Sequence, residues 1–362
     1  MNSPVPPDAV SAFDYERYAR QRLDDNAWAY VSGWAGDGLT LTRNREAFDR
    51  LELSGRVLAD LSSASTAGQL FGMGLPFPIL LAPVAFQKLA HPDGEIAAAL
   101  GASACGAWMC VSSMASAQIE EVASVAQAPL IFQLYMVGGR EFALHLVRRA
   151  EAAGYRALMV TVDAPIAGVR NVEQRAGFAL PPDVRAVNMA GAVRPVSHAG
   201  PGESPVFKGL LDGAPTWADI EWLRGQTRLP LIVKGVIHPA DAERAVNLGA
   251  DGLVVSNHGG RTLDTLPASL EALRAVAARV KGRVALLMDG GVRRGTDVLK
   301  ALALGADAVM IGQPLMHALA VAGPVGVLHM LTILRAEFEV AMALNGCVTL
   351  ADITSDVLWP PR

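Results

Sequence analysis

The chain has 362 residues, 51% of them apolar, enough for one large hydrophobic core or two ordinary ones. Its 31 basic and 35 acidic side chains leave a net charge of −4, which argues against a basic nucleic-acid face and against an acidic solvating tail, and leaves small-molecule chemistry. Three cysteines, Cys105, Cys110 and Cys347, have no metal-ligand spacing and are not the even count of a disulfide framework, so a reducing, cytoplasmic setting is expected.

Residues 1–77 are expected to form helices that close one end of the fold. The opening Met1 to Asp8 lacks the basic start and apolar core of a signal peptide. The run Pro76 to Phe86 is interrupted by Pro78 and Pro83, so no membrane span is expected. From about residue 78 short apolar runs alternate with longer Ala-rich amphipathic stretches. Strands are predicted at Ile79 to Pro83, Met109 to Ser113, Leu130 to Tyr135, Ala157 to Asp163, Leu231 to Gly235, Gly252 to Asn257, Ala285 to Gly290 and Ala308 to Gly312. Helices are predicted at Gly94 to Ala104, Ser116 to Ala126, Glu141 to Ala153, Trp217 to Thr227, Pro239 to Leu248, Ala268 to Val280 and Gly295 to Leu304. This α/β alternation points to a single closed (β/α)8 TIM barrel over residues 78–322 rather than an open doubly wound sheet. Residues 181–215, rich in Gly, Pro, Ala and Ser, are too long for a βα loop and read as a lid or mobile segment after the fourth strand. Residues 323–362 supply a last helix and a tail.

Barrel enzymes place their chemistry at the C-terminal strand ends, and the unusual polar residues fall there repeatedly. Ser112 and Ser113 end the second strand, Gln133 and Tyr135 the third, Thr161 and Asp163 the fourth, and Lys234 the fifth. Ser256, Asn257 and His258 end the sixth, Asp289 the seventh, and Gly312 and Gln313 the eighth. His258 and Arg261 put a base beside a guanidinium, which suits a substrate bearing a carboxylate that gives up a proton or hydride nearby, as a 2-hydroxy acid does. Asp289-Gly290-Gly291-Val292-Arg293-Arg294-Gly295, with Gly312, lies where barrels bind phosphate through backbone amides and a helix start. Lys234 on an apolar strand needs negative charge close by, which a reduced flavin would supply. A Schiff-base lysine of an aldolase-like barrel is the competing reading.

These motifs resemble the FMN-dependent 2-hydroxy acid oxidases and dehydrogenases, a family that includes glycolate oxidase, lactate oxidase and mandelate dehydrogenase. The likeness spans nearly the whole chain. It includes Ala35-Gly36-Asp37 with Asn44-Arg45, Ala82-Pro83 with Gln87 to Glu95, Gln133-Leu134-Tyr135, Thr161-Val162-Asp163, Val233-Lys234-Gly235, Ser256 to Asp264, and Asp289 to Asp297. The resemblance implies His258 as base with Asp163 orienting it, Arg261 and Arg170 clamping the substrate carboxylate, Tyr30 as a further donor, and Tyr135 at the substrate oxygen. It implies that Lys234 meets flavin N1 and O2, and that Ser112, Gln133, Thr161 and the backbone of Pro83, Val84 and Ala85 hold the ring. Ser256, Asp289, Gly291, Arg293 and Gly312 would hold the ribityl phosphate.

Three positions depart from the family pattern. Gln313 stands where an arginine commonly helps bind the phosphate. Ala167 replaces a pocket leucine and Met114 a tryptophan, so a roomier pocket and a bulky, aromatic, mandelate-like substrate are expected. Oxygen as acceptor with release of hydrogen peroxide, and a homotetramer or octamer, complete the expectation. A quinone-using dehydrogenase is the alternative, followed by a non-redox phosphate-binding barrel.

Overall fold

Each barrel strand is a short apolar run whose side chains alternate between two dry environments, the barrel interior and the layer under the helices. A computed structural model describes residues 4–193, 195–280 and 282–359, so the extreme ends of both terminal segments and one residue of the expected lid lie outside it. Eight parallel strands form the closed barrel: β1 (Ile79–Leu81), β2 (Met109–Ser112), β3 (Leu130–Leu134), β4 (Ala157–Thr161), β5 (Leu231–Val236), β6 (Gly252–Val255), β7 (Ala285–Asp289) and β8 (Ala308–Ile311). Each pairs with the next, and β8 closes on β1 through Val309 opposite Ile79.

Several elements are shorter than their apolar runs. β1 stops before Pro83, which has no N–H for a ladder. β6 stops before Asn257, whose N–H turns to Ser269 Oγ at 3.1 Å. The helix expected from Ser116 begins at Ile119, because Ser116 Oγ is bound to buried Glu95 Oε2 at 2.8 Å.

The expected N-terminal helices form, as α1 (Asp14–Arg22), α2 (Asp25–Ser32) and α3 (Leu39–Asp49), but they do not plug the N-terminal end of the barrel. A hairpin of Gly68–Leu70 and Met73–Leu75 does so, and its Leu70 and Leu75 pack with the inward side chains Leu80, Ile131, Ile232 and Leu287. The helices run beside the opposite mouth, where α2 carries Tyr30 and α3 packs on the segment after β6 and on α10 (Ser269–Val280).

Asp264 tethers that arrangement by accepting from the backbone N–H groups of Thr40 at 2.8 Å and Asp37 at 2.9 Å at the start of α3. Burial alone would raise its carboxyl, but the amides of Thr40, Thr265, Asp37 and Leu39 hold it at about 2. A carboxyl depressed by folding stabilises above its unfolded range and loses that contribution as pH falls towards about 2. Asp264→Ala should therefore cost about 0.5–2 kcal/mol at neutral pH and flatten the acid limb of the stability curve. Urea unfolding at several pH values checks this, and an unchanged acid limb removes the capping role.

The C-terminal helix α12 (Gln313–Leu344) is broken at Ala322 and Gly323, where the expected boundary between barrel and tail falls. Its mean hydropathy of 1.7 over an 18-residue window would let it cross a membrane by composition, yet 61% of that window is buried against the fold, with α1, α4 (Gly94–Ala104) and α11 (Gly295–Ala303) as neighbours. The expected lid carries one short helical turn, Val187–Met189, and an irregular turn, Val206–Leu210, in which Lys208 and Gly209 leave the helical region. Asn188 anchors it by donating to Ala117 O at 2.9 Å and accepting from Arg149 Nη2 at 3.0 Å.

Candidate active site

The two-residue period of the strands builds the site. Inside the barrel Leu80, Cys110, Ile131, Met159, Ile232, Val254, Leu287 and Met310 form an apolar layer. Two residues further along each strand, the same inward direction belongs to Ala82, Ser112, Gln133, Thr161, Lys234, Ser256, Asp289 and Gly312. A polar layer thus sits on a dry plug at the C-terminal ends. Above it opens a cavity of about 730 Å³ that reaches Tyr135, His258, Arg261, Arg170, Tyr30 and Arg293.

The polar layer is bonded laterally. Ser112 Oγ donates to Gln133 Oε1 at 2.9 Å, and Gln133 Nε2 donates to Thr161 Oγ1 at 3.0 Å. Buried Lys234 lies 2.9 Å from Asp289 Oδ2 and donates to Ser256 Oγ at 3.0 Å. Desolvation opposes its charge, but Asp289 and then Asp163 outweigh it and raise the ammonium above its ordinary range. A Schiff-base lysine needs the opposite shift, so this ion-paired environment does not favour the aldolase-like reading. The negative charge that Lys234 requires comes from the protein.

His258 has a left-handed backbone (φ 58°), an uncommon conformation for a non-glycine residue. Its Nδ1 lies 2.9 Å from Asp163 Oδ1, which leaves Nε2 as the nitrogen free of that contact. Burial works against the Asp163 charge, yet His258 and Lys234 hold this carboxyl below its usual range. Asp163 does not line the cavity itself; it stands behind the imidazole. Tyr135 and Tyr30, both pushed up by burial, remain hydroxyl donors.

Arg170 and Arg261, 91 residues apart, meet at the cavity wall, with Arg170 Nε 3.4 Å from the Arg261 carbonyl. Gly168 permits this approach, since a Cβ there would lie 2.1 Å from Thr262 O. Arg261 also donates to Gly33 O at 2.7 Å and lies over the Tyr30 ring at 5.0 Å. Between the guanidiniums stands Glu173, which the sequence reading passed over: its Oε1 is 3.0 Å from Arg261 Nη2 and 3.2 Å from Arg170 Nη1. The three-residue spacing of Arg170 and Glu173 at the start of the short helix α7 (Asn171–Arg175) was the available signal.

Beyond the β7 and β8 ends, Arg293 faces the cavity without an ion-pair partner among the described residues, and desolvation pulls it down to about 10. Its Nη2 donates to Gln313 Oε1 at 2.5 Å, so Gln313 orients the cation where an arginine was expected to add one. Gly291 (φ 85°) must be glycine, because a Cβ would lie 2.3 Å from Asn44 O. Asn44 and Arg45, on α3, brace this loop, Arg45 Nη1 donating to Gly291 O at 2.9 Å.

Two of the expected cofactor contacts already have protein partners. Ser256 is buried and outside the cavity lining, its oxygen already accepting from Lys234 and, at 3.0 Å, from the His258 N–H. Asp289 lines the cavity and is ion-paired with Lys234, and an acceptor-only carboxylate suits ribityl hydroxyls rather than phosphate oxygens. Its Oδ1 is buried with no hydrogen-bond partner among the described residues and calls for a hydroxyl donor. An uncompensated guanidinium, an unmet carboxylate oxygen and an amide-lined glycine turn fit the phosphate and ribityl hydroxyls of FMN.

A flavin-type (β/α)8 oxidoreductase is the class that this barrel and cavity define, and comparison with known proteins agrees. The sequence matches the family described as FMN-dependent dehydrogenase over residues 19–360. It is 48% identical over 357 residues to an L-lactate oxidase of Alicycliphilus denitrificans, covering 98% of each chain. It is 44% identical over 348 residues to glycolate oxidase 1 of Oryza sativa, covering 95% and 94%. A crystal structure of mandelate oxidase with (S)-2-phenylpropionate superposes with a TM-score of 0.88 at 40% identity, covering 97% and 98% of the two chains. The chain belongs to the FMN-dependent 2-hydroxy acid oxidase family, with FMN as its cofactor.

Proposed function

We propose that the protein oxidises (S)-2-hydroxy acids with a bulky, preferably aromatic, side chain to the 2-keto acids, with oxygen as acceptor and hydrogen peroxide as product. The observation that carries the substrate reading is the apolar part of the cavity lining, which includes Met114, Val137, Ala167, Phe178, Met189 and Leu210. Apolar lining of this kind rewards a phenyl ring more than a methyl. The oxidase reading draws support from relatives named as oxidases and from the small Ala85 at the cavity. A lactate-type substrate is the second reading, favoured by the 48% identical relative.

In this proposal Arg170 and Arg261 hold the substrate carboxylate, with Tyr30 as an additional donor. Tyr135 donates to the oxygen on the reacting carbon. His258 accepts the proton that the substrate gives up, and Asp163 stabilises the resulting imidazolium. Arg293 and the amides at Gly291 and Gly312 meet the FMN phosphate, Asp289 a ribityl hydroxyl, Lys234 the N1 and O2 side, and Ser112, Gln133, Thr161 and the Pro83 to Ala85 backbone the ring. Bound there, FMN supplies the two-electron sink. Assembly as a homo-oligomer, tested by light scattering, belongs to the same reading.

Flavin reduction by mandelate, 2-hydroxyoctanoate, lactate and glycolate tests the substrate. Mandelate should be fastest, and Ala167→Leu should penalise it more than lactate by about 1–3 kcal/mol, the scale of steric discrimination in an apolar pocket. If glycolate or lactate is fastest in the parent, the large-pocket reading is wrong. Oxygen uptake against reduction of a quinone separates oxidase from dehydrogenase.

A further inference from the structure

We propose that Glu173 sets the charge of the carboxylate clamp, so that the clamp takes monocarboxylates in preference to dianions. The proposal rests on Arg170 and Arg261 as that clamp. Two guanidiniums converge in a largely desolvated wall, where burial and then the charge of Arg170 pull Arg261 below its ordinary value. Glu173 relieves them with one carboxylate at 3.0 Å from Arg261 and 3.2 Å from Arg170, its side chain only 13% exposed. Other acids at the site are committed elsewhere, Asp163 to His258 and Asp289 to Lys234. Two cations and one anion leave a clamp of net charge +1. One monocarboxylate neutralises it, whereas a dianion leaves an excess negative charge in a poorly solvated cavity. Because Glu173 offsets part of the guanidinium charge, it also keeps a bound keto acid from being held too tightly to leave.

Glu173→Gln keeps the shape and raises the clamp to +2. Interaction energy with an added point charge scales with ligand charge, so the logarithm of the gain for a dianion should be twice that for a monoanion. Oxamate and oxalate are nearly isosteric and differ by one charge, which makes them suitable probes. With the FMN-loaded protein in a calorimeter, Glu173→Gln should tighten oxamate about five-fold and oxalate about twenty-five-fold. Glu173→Asp, which retains the charge, should leave both within about two-fold of the parent. Weaker binding of both ions to Glu173→Gln, an equal gain for both, or the same change in both variants overturns the proposal and makes Glu173 a mechanical brace. Failure of the parent to bind either ion overturns the clamp as well. If oxamate and oxalate behave as expected but no 2-hydroxy acid bleaches the flavin, the substrate reading falls and the clamp stands.

Discussion

His258→Gln should retain FMN and lose about two to four orders of magnitude in flavin reduction, the usual cost of removing a general base. Glutamine preserves a hydrogen-bonding side chain but offers no basic nitrogen. The imidazole is prepared for the role by its surroundings: Asp163 takes Nδ1 at 2.9 Å, and the His258 N–H is fixed on Ser256. The left-handed backbone at φ 58° is a local strain held by the barrel and by the two glycines that follow. None of the cofactor contacts proposed above passes through the imidazole, so flavin content is the internal control. Anaerobic stopped-flow reduction provides the measurement. A rate within a few-fold of the parent would take the base assignment away from this residue.

Arg261→Met should lower kcat/KM by about 2–5 kcal/mol, roughly thirty-fold to several thousand-fold, because the substrate carboxylate loses a desolvated charged partner. The same change unpairs Gly33 O and leaves Glu173 with Arg170 alone, so the damage extends beyond one hydrogen bond. Arg170→Met should weaken binding with less effect on the chemical step. Arg170 is held through Glu173 and the Arg261 carbonyl, and it does not follow His258 in the chain as Arg261 does. Reduction rates over a wide range of substrate concentration separate binding from chemistry. Unchanged saturation in Arg170→Met would exclude it from the clamp, and an unchanged kcat/KM in Arg261→Met would dissolve the clamp altogether.

Local chemistry made much of the site legible. Polar residues closing apolar runs identified the C-terminal mouth, since inward-facing positions recur every second residue and only a site tolerates Lys234 or Asp289 at such a depth. His258, Arg261 and the Gly290-Gly291 turn were visible for the same reason, each being a residue type with a specific chemical use at a strand end. The hairpin plug was not visible, because two three-residue strands are too short to carry a period. Glu173 was passed over because its importance comes from Arg261, distant in sequence and brought alongside only by the loop packing that Gly168 permits.

The sequence by itself determined the barrel, the mouth that carries the chemistry, and the residue types available there, because strand periodicity and strand-end position are local properties. Tertiary structure decided the partners. It paired Lys234 with Asp289, bonded Ser256 to Lys234, set Gln313 against Arg293, and put Glu173 between two arginines. Charge compensation depends on distance through space, and a closed barrel brings together loops that lie far apart along the chain.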